Sequence, residues 1–246
     1  MLYALRYPFS FAVLVVAFIV GIYARGAVQH AISGQRRPAW ARQLTRRRSL
    51  LWLKPYVDPY GCIAAVIGGP AWGAPVEGTS SLGRPGSKVV GQLIAGPITL
   101  LVLGIGALEA FRAWTHLTFE KTNDTLLSVY HGNAFIGPYL FQGGRITDPH
   151  FHYTENFGQV ALFLAGVVWL TMGVLAIMPL PPLDGGRLLF ALGPRTMGWQ
   201  RARFRLDDEN WGTLILLILA LPVLFRVPLL IKFLGYIVDP VVRLIA

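Results

Sequence analysis

Long uncharged runs dominate the chain, and glycine and proline punctuate them. A helix that crosses a membrane needs about 20 mostly apolar residues. The first such run is Tyr7 to Ala24, between Arg6 and Arg25, around the core FSFAVLVVAFIVGIY, and it predicts a span over about 7–25. The second, Pro59 to Val76, holds Pro59, Gly61, Gly68, Gly69, Pro70, Gly73 and Pro75. So many breakers disfavour a straight spanning helix. A re-entrant or strand-like segment is expected over 59–76, covered by protein wherever it reaches membrane depth. Further spans are predicted at 89–109, 157–178 and 210–225, the middle one ending near Met178 because Pro179, Pro181 and Pro182 follow. The last stretch, 227–245, is interrupted by Lys232 and Asp239, and either spans or lies in the interface. Residues 110–155 read as an external loop, of which 125–144 is uncharged but rich in Gly, Ser, Asn and Gln. The first helix is expected to be retained, because its flank YARGAVQHAIS offers no small-x-small cleavage site. The pattern therefore predicts an all-α polytopic bundle of about 5–6 transmembrane helices in one domain, 1–246.

Composition narrows the class. Of the 246 residues 54% are apolar and 14% charged, where a soluble domain carries about 25% charged residues. An ordinary soluble enzyme, a disordered chain and a collagen are excluded, and the lone Cys62 can form no internal disulfide. The net charge is +10. Arg36, Arg37, Arg42, Arg46, Arg47, Arg48 and Lys54 follow the first span, and Arg187, Arg195, Arg201, Arg203 and Arg205 lie between the spans 157–178 and 210–225. The positive-inside rule places both loops in the cytoplasm, with the N-terminus and loop 110–155 outside. This accounts for the charge through membrane lipids and topology, with no need for nucleic acid. Arginines outnumber lysines 18 to 4, a bias of GC-rich bacterial genomes, so a bacterial plasma membrane is the expected location. The tryptophans mostly flank the predicted spans, as in an aromatic belt.

Two polar residues stand out at the cytoplasmic ends of spans. Asp184 follows the broken stretch MPLPPLDGGR, and His30 lies in GAVQHAIS. An acid on a broken element at a membrane boundary is a functional candidate. The plainer alternative is that Asp184 caps the helix GGRLLFAL or pairs with Arg187, and that His30 meets a carbonyl. Gly185 and Gly186 are expected to let the backbone turn tightly. A metal site at His150 and His152 in the external loop is the weaker alternative to a solvated loop.

Together these segments resemble the site-2 protease family of intramembrane zinc metalloproteases. MPLPPLDGGRLL, with Pro182, Gly185 and Gly186, is similar to that family's N-x-x-P-x-P-P-L-D-G-G signature. VDPYGCIAAVIGGPAWGAPV resembles its D-P-x-G…G-W-x-x-P-V stretch, and QLIAGPITLL, with Gly96 and Pro97, its L-A-G-P helix. RGAVQHAISG stands where the H-E-x-x-H-A helix belongs. The resemblance implies two histidine ligands and a glutamate base on the first helix, an acidic third ligand, and a zinc-activated water. It also implies a substrate groove, here Pro70, Trp72, Gly73 and Pro75, offering an edge to an unwound helix.

The chemistry-bearing positions depart from that pattern. The first ligand position is Gly26 and the general-base position is Ala27. His30 matches the second ligand and Asp184 the acidic one, so the metal site reads as vestigial. The motif asparagines are Ala176 and Leu100. Gln29 is expected to point elsewhere on the helix, and Arg25 to repel a cation. No catalytic residue is assigned, and no cofactor is expected unless zinc survives. Three readings follow: a non-catalytic member that binds or regulates transmembrane segments of other proteins, an active metalloprotease with an altered metal site, or a small transporter or channel component in which His30 and Asp184 relay protons.

Overall fold

Uncharged stretches become helices because a helix satisfies its own backbone N–H and C=O groups, which an apolar surrounding cannot do. A computed structural model describes residues 8–33, 56–68, 71–74, 87–118, 141–142, 145–146, 157–194, 196–220 and 229–245. Its helices are α1 (Pro8–Ser33), α2 (Pro59–Gly68), α3 (Ser87–Thr118), α4 (Phe157–Ile177), α5 (Asp184–Leu192), α6 (Met197–Arg203), α7 (Trp211–Ala220) and α8 (Leu229–Ile245). A π-helical turn, Phe204–Asp208, follows α6. The only strands among the described residues are β1 (Phe141–Gln142) and β2 (Arg145–Ile146), an antiparallel pair.

Among the described residues three helices are long and apolar enough to cross a membrane: Phe11–Ile32, Lys88–Trp114 and Gly158–Ile177. α4 ends at Ile177, as the prolines required. α1 continues past Arg25 to Ser33, so that arginine does not bound the helix but lies inside it. Residues 59–68 form a short helix, not a strand; Asp58 caps it, accepting the Tyr60 N–H at 3.1 Å, and Pro59 fits the first helical position. The β pairing here among the described residues is an isolated bridge, Val57 to Gly73, that closes the chain around α2. The sequence-predicted span 210–225 is described only as α7, and Pro240 lies inside α8. The basic residues 36–54 and the histidines His131, His150 and His152 lie outside the described residues.

The long helices alternate in direction. Gln29 near the end of α1 meets Gln92 near the start of α3. Gly104 and Gly173 place Leu170 of α4 and Leu101 of α3 against the facing helix, so α3 and α4 are antiparallel as well. Leu14, Phe18 and Ile22 of α1 close on Leu100, Leu108 and Phe111 of α3 and on Val160, Phe163 and Val167 of α4. A second cluster joins Leu175, Leu183, Leu216, Leu230 and Leu234 to Ala64 and Trp72. Outward faces are also apolar: Val16 is 59% exposed on α1 and Val102 63% on α3, with Ile94, Ile98 and Ile105 in the same row. Apolar faces outside and polar side chains inside suit a lipid surrounding.

Small residues set the closest helix contact. A Cβ on Gly104 would lie 2.6 Å from the Leu170 backbone nitrogen, whereas one on Gly106 meets nothing within 4 Å. Gly104→Ala is therefore expected to cost about 1–3 kcal/mol by forcing the helices apart. Gly106→Ala should instead gain about 0.5–1 kcal/mol by relieving glycine's entropy cost. Thermal unfolding in detergent micelles reads both, and equal shifts at the two positions would contradict the packing.

Candidate functional site

α1 carries a continuous buried row, Leu14, Phe18, Ile22, Arg25 and Gln29, spaced by three and four residues as one helix face requires. The last two are polar. The row faces Asp184, at the start of α5 and 0% exposed. Arg25 grips that carboxylate with two parallel bonds, Nε to Oδ2 at 2.8 Å and Nη2 to Oδ1 at 2.6 Å. Its remaining nitrogen, Nη1, donates to the Ala74 carbonyl at 3.1 Å. Gln29 Nε2 donates to Asp184 Oδ2 and to the Gln92 carbonyl, both at 3.2 Å. Both neighbours are acceptors, which settles the amide orientation. Gln92 returns a bond to the Gln29 carbonyl at 3.0 Å, so two glutamines cross-link α1 and α3.

Glycines make room for this group. A Cβ on Gly96 would run into the Gln29 amide and lie 2.7 Å from Asp184 Oδ2. Gly73 lets the Arg25 guanidinium pass, its Cβ position lying 2.8 Å from Nη1. Gly185 and Gly186 are not a turn; they form the first turn of α5. Their missing side chains admit the Ile177 carbonyl and the Leu180–Pro181 backbone, so Pro182 and its neighbours fold tightly over the helix start.

A second polar group lies nearby. Asp58 accepts from Trp72 Nε1 at 2.6 Å while capping α2. Arg187 pairs with Asp207 at 2.8 Å, tying α5 to the π turn. Arg187 is therefore not Asp184's partner, and Asp207 is committed to an ion pair. Burial pushes the Asp58 carboxyl above its ordinary range; bonds from Trp72, Tyr60 and Gly61 and the charge of Arg187 offset this only in part. A raised acid stabilises the fold fully below the ordinary aspartate range, and that contribution is lost as pH rises through the elevated value. Asp58→Asn should flatten the unfolding midpoint across the weakly acidic range, and an unchanged profile would contradict the burial. Burial and the Asp58 charge likewise raise the Cys62 thiol, which packs half-buried against the apolar core.

The residues anticipated from sequence divide. Asp184 lies at the centre of the group, but its contacts on α1 are Arg25 and Gln29, one position ahead of the Gly26–His30 pair. His30 is half-buried at the end of α1. Gly26 is walled by the Tyr56 ring, which a Cβ there would overlap, and Ala27 is half-buried. Ala176 and Leu100, where the motif has asparagine, are buried in the apolar core. Trp72 is 4% exposed and bonded to Asp58, and Gly73 is paired to Val57. Both therefore face protein, while Pro70 and Pro75 lie outside the described residues. Gly96 and Pro97 are buried in α3.

Zinc, which the resemblance implies, does not suit this donor set. A permanent cation occupies both oxygens of Asp184, Gln29 presents N–H groups in place of lone pairs, and an aromatic ring covers Gly26. Among the described residues no group of three or more His, Cys, Asp or Glu gathers to hold a metal ion. The sequence sets Gln29 aside as pointing elsewhere on the helix and Arg25 as a residue that would repel a cation, and gives no sign of Gln92; the structure instead turns Gln29 and Arg25 onto Asp184, and the signal for both was their four-residue spacing on the face of Phe18 and Ile22. No family model, curated protein or solved structure matches this chain.

Proposed function

We propose that the chain is a non-catalytic, site-2-protease-like membrane protein that holds or regulates transmembrane segments of other proteins. The carrying observation is the saturation of Asp184 by Arg25 and Gln29. In this reading the two α1 ligand positions of the H-E-x-x-H helix are Arg25 and Gln29, four residues apart and facing the acid. The guanidinium takes the place of the metal charge, and the base position falls on Gly26. The three framework resemblances, around Trp72, Pro97 and Asp184 in chain order, support the scaffold assignment. The buried polar group would then serve as a lock for the scaffold, leaving the lipid-facing grooves to bind helices. The expected setting is a bacterial plasma membrane with the Asp184 end toward the cytoplasm.

Two measurements test this together. Purified protein is expected to carry no stoichiometric zinc and to leave a membrane-anchored reporter uncut. Photo-crosslinkers on the outward faces of α1 and α3 should capture the reporter's transmembrane segment in membranes. Zinc bound one to one and lost in both His30→Ala and Asp184→Asn would overturn the non-catalytic reading, as would cleavage that depends on those residues. Absence of any crosslink would overturn the binding role.

A further inference from the structure

The segment joining α5 to α7 carries side chains that the buried polar group does not use. Leu192 is 67% exposed, Met197 72% and Phe204 55%, and Leu189 is exposed beside them. Met197, Arg201 and Phe204 recur at three- and four-residue spacing, so they share one face of α6 and its π-helical continuation. Arg201, between Met197 and Phe204, and Arg205, just after Phe204, are exposed, and neither has an ion pair among the described residues. Thr196 caps α6 by accepting the Trp199 N–H at 3.4 Å, and Trp199 lies against Phe190 of α5, so the segment is fastened to the bundle. Gly212, at the start of α7, touches the Pro181 carbonyl, which puts both ends of this segment at the Asp184 end of the bundle.

We infer that residues 189–194 and 196–205 form a membrane-surface anchor that seats on anionic phospholipid headgroups. The charge and the hydrophobicity argue for the same occupant. Exposed leucine, methionine and phenylalanine seek the boundary between headgroup and acyl chain, while arginines reach back to the phosphates. A water-facing loop has no use for the first set, and an apolar protein interface has none for the unpaired cations. The inference rests on membrane insertion of the long helices and is independent of the protease resemblance.

A nitroxide on Met197→Cys in a Cys62→Ser background tests it, with the full chain reconstituted in phosphatidylcholine vesicles with and without phosphatidylglycerol. The label is expected to lie at headgroup depth, contacting oxygen dissolved in lipid more than a water-soluble relaxer. Anionic lipid should strengthen that seating, by about fivefold for each arginine engaged. Arg201→Gln/Arg205→Gln, two exposed changes that leave the core untouched, should remove the dependence on anionic lipid, and high salt should weaken it. A water-exposed label in both vesicles overturns the anchor. Equal immersion in both overturns the headgroup selectivity. A label shielded from both relaxers assigns the face to a second copy or a partner protein instead.

Discussion

Arg25→Met alone is expected to destabilise the protein by about 3–5 kcal/mol, the cost of leaving a buried charge without its partner. Asp184 is fully enclosed, so nothing but the Gln29 amide would remain to it. Arg25→Lys should rescue little, because an ammonium cannot reproduce two parallel bonds to one carboxylate. The double variant Arg25→Met/Asp184→Leu should recover most of the loss, since apolar replacement of a whole buried pair is often neutral. The positive coupling between the two sites, read from unfolding in detergent micelles, is the quantity of interest. A single variant costing less than about 1 kcal/mol would mean that water reaches the pair.

The second large effect is a gain of metal binding. Arg25→His/Gln29→His would place two imidazoles four residues apart on the α1 face that meets Asp184, a three-ligand set with an open position. One zinc per chain is expected, and at free zinc 100 times the Kd the metal should stabilise the fold by about 2.7 kcal/mol. Proteolysis is not expected to follow, because the base would have to stand at Gly26, under the Tyr56 ring. Gly26→His/Ala27→Glu, the restoration that the motif alignment suggests, should instead fail to bind zinc and should disturb the packing. Zinc binding by this second pair, and none by the first, would restore the Gly26–His30 register and undo the assignment of Arg25 and Gln29.

Helix locations were legible wherever a covalent constraint acts locally. Prolines 179, 181 and 182 cannot continue a helix, and α4 ends just before them. Asp184 could be singled out because an acid amid apolar residues needs a reason. Its partner could not, because that depends on how α1 rotates against α5 over 159 residues of separation. In the sequence Arg25 reads as the end of a span; inside a bundle the same charge is tolerated once paired, and the row Leu14–Phe18–Ile22–Arg25–Gln29 shows that it continues the buried face. One residue of register, about 100° of rotation, separates His30 from Gln29. Gly185–Gly186 illustrates another limit. A glycine pair suggests a turn, yet here it makes space for the backbone of Ile177 and Leu180–Pro181, a demand that only the folded chain imposes. The segment 59–76 was ambiguous for the same reason: its breakers ruled out a long helix but not the short α2 that Asp58 caps.

The 159 residues between Arg25 and Asp184 also impose an order on biogenesis. At about 5–20 residues per second, the ribosome reaches Asp184 roughly 8–30 s after it has made Arg25. During that interval α1 exists as a nascent helix with an unneutralised cation two-thirds of the way along, a feature that opposes insertion by at most the roughly 2.5–3.5 kcal/mol of an arginine at a helix centre. The flanking run FSFAVLVVAFIVGIY supplies the opposing drive. α3 follows and brings the glutamine cross-link, but not the counter-charge. The counter-charge of α1 thus arrives only with α5, and a chain stalled or truncated before Asp184 would carry a membrane helix with the cost of its arginine still uncompensated.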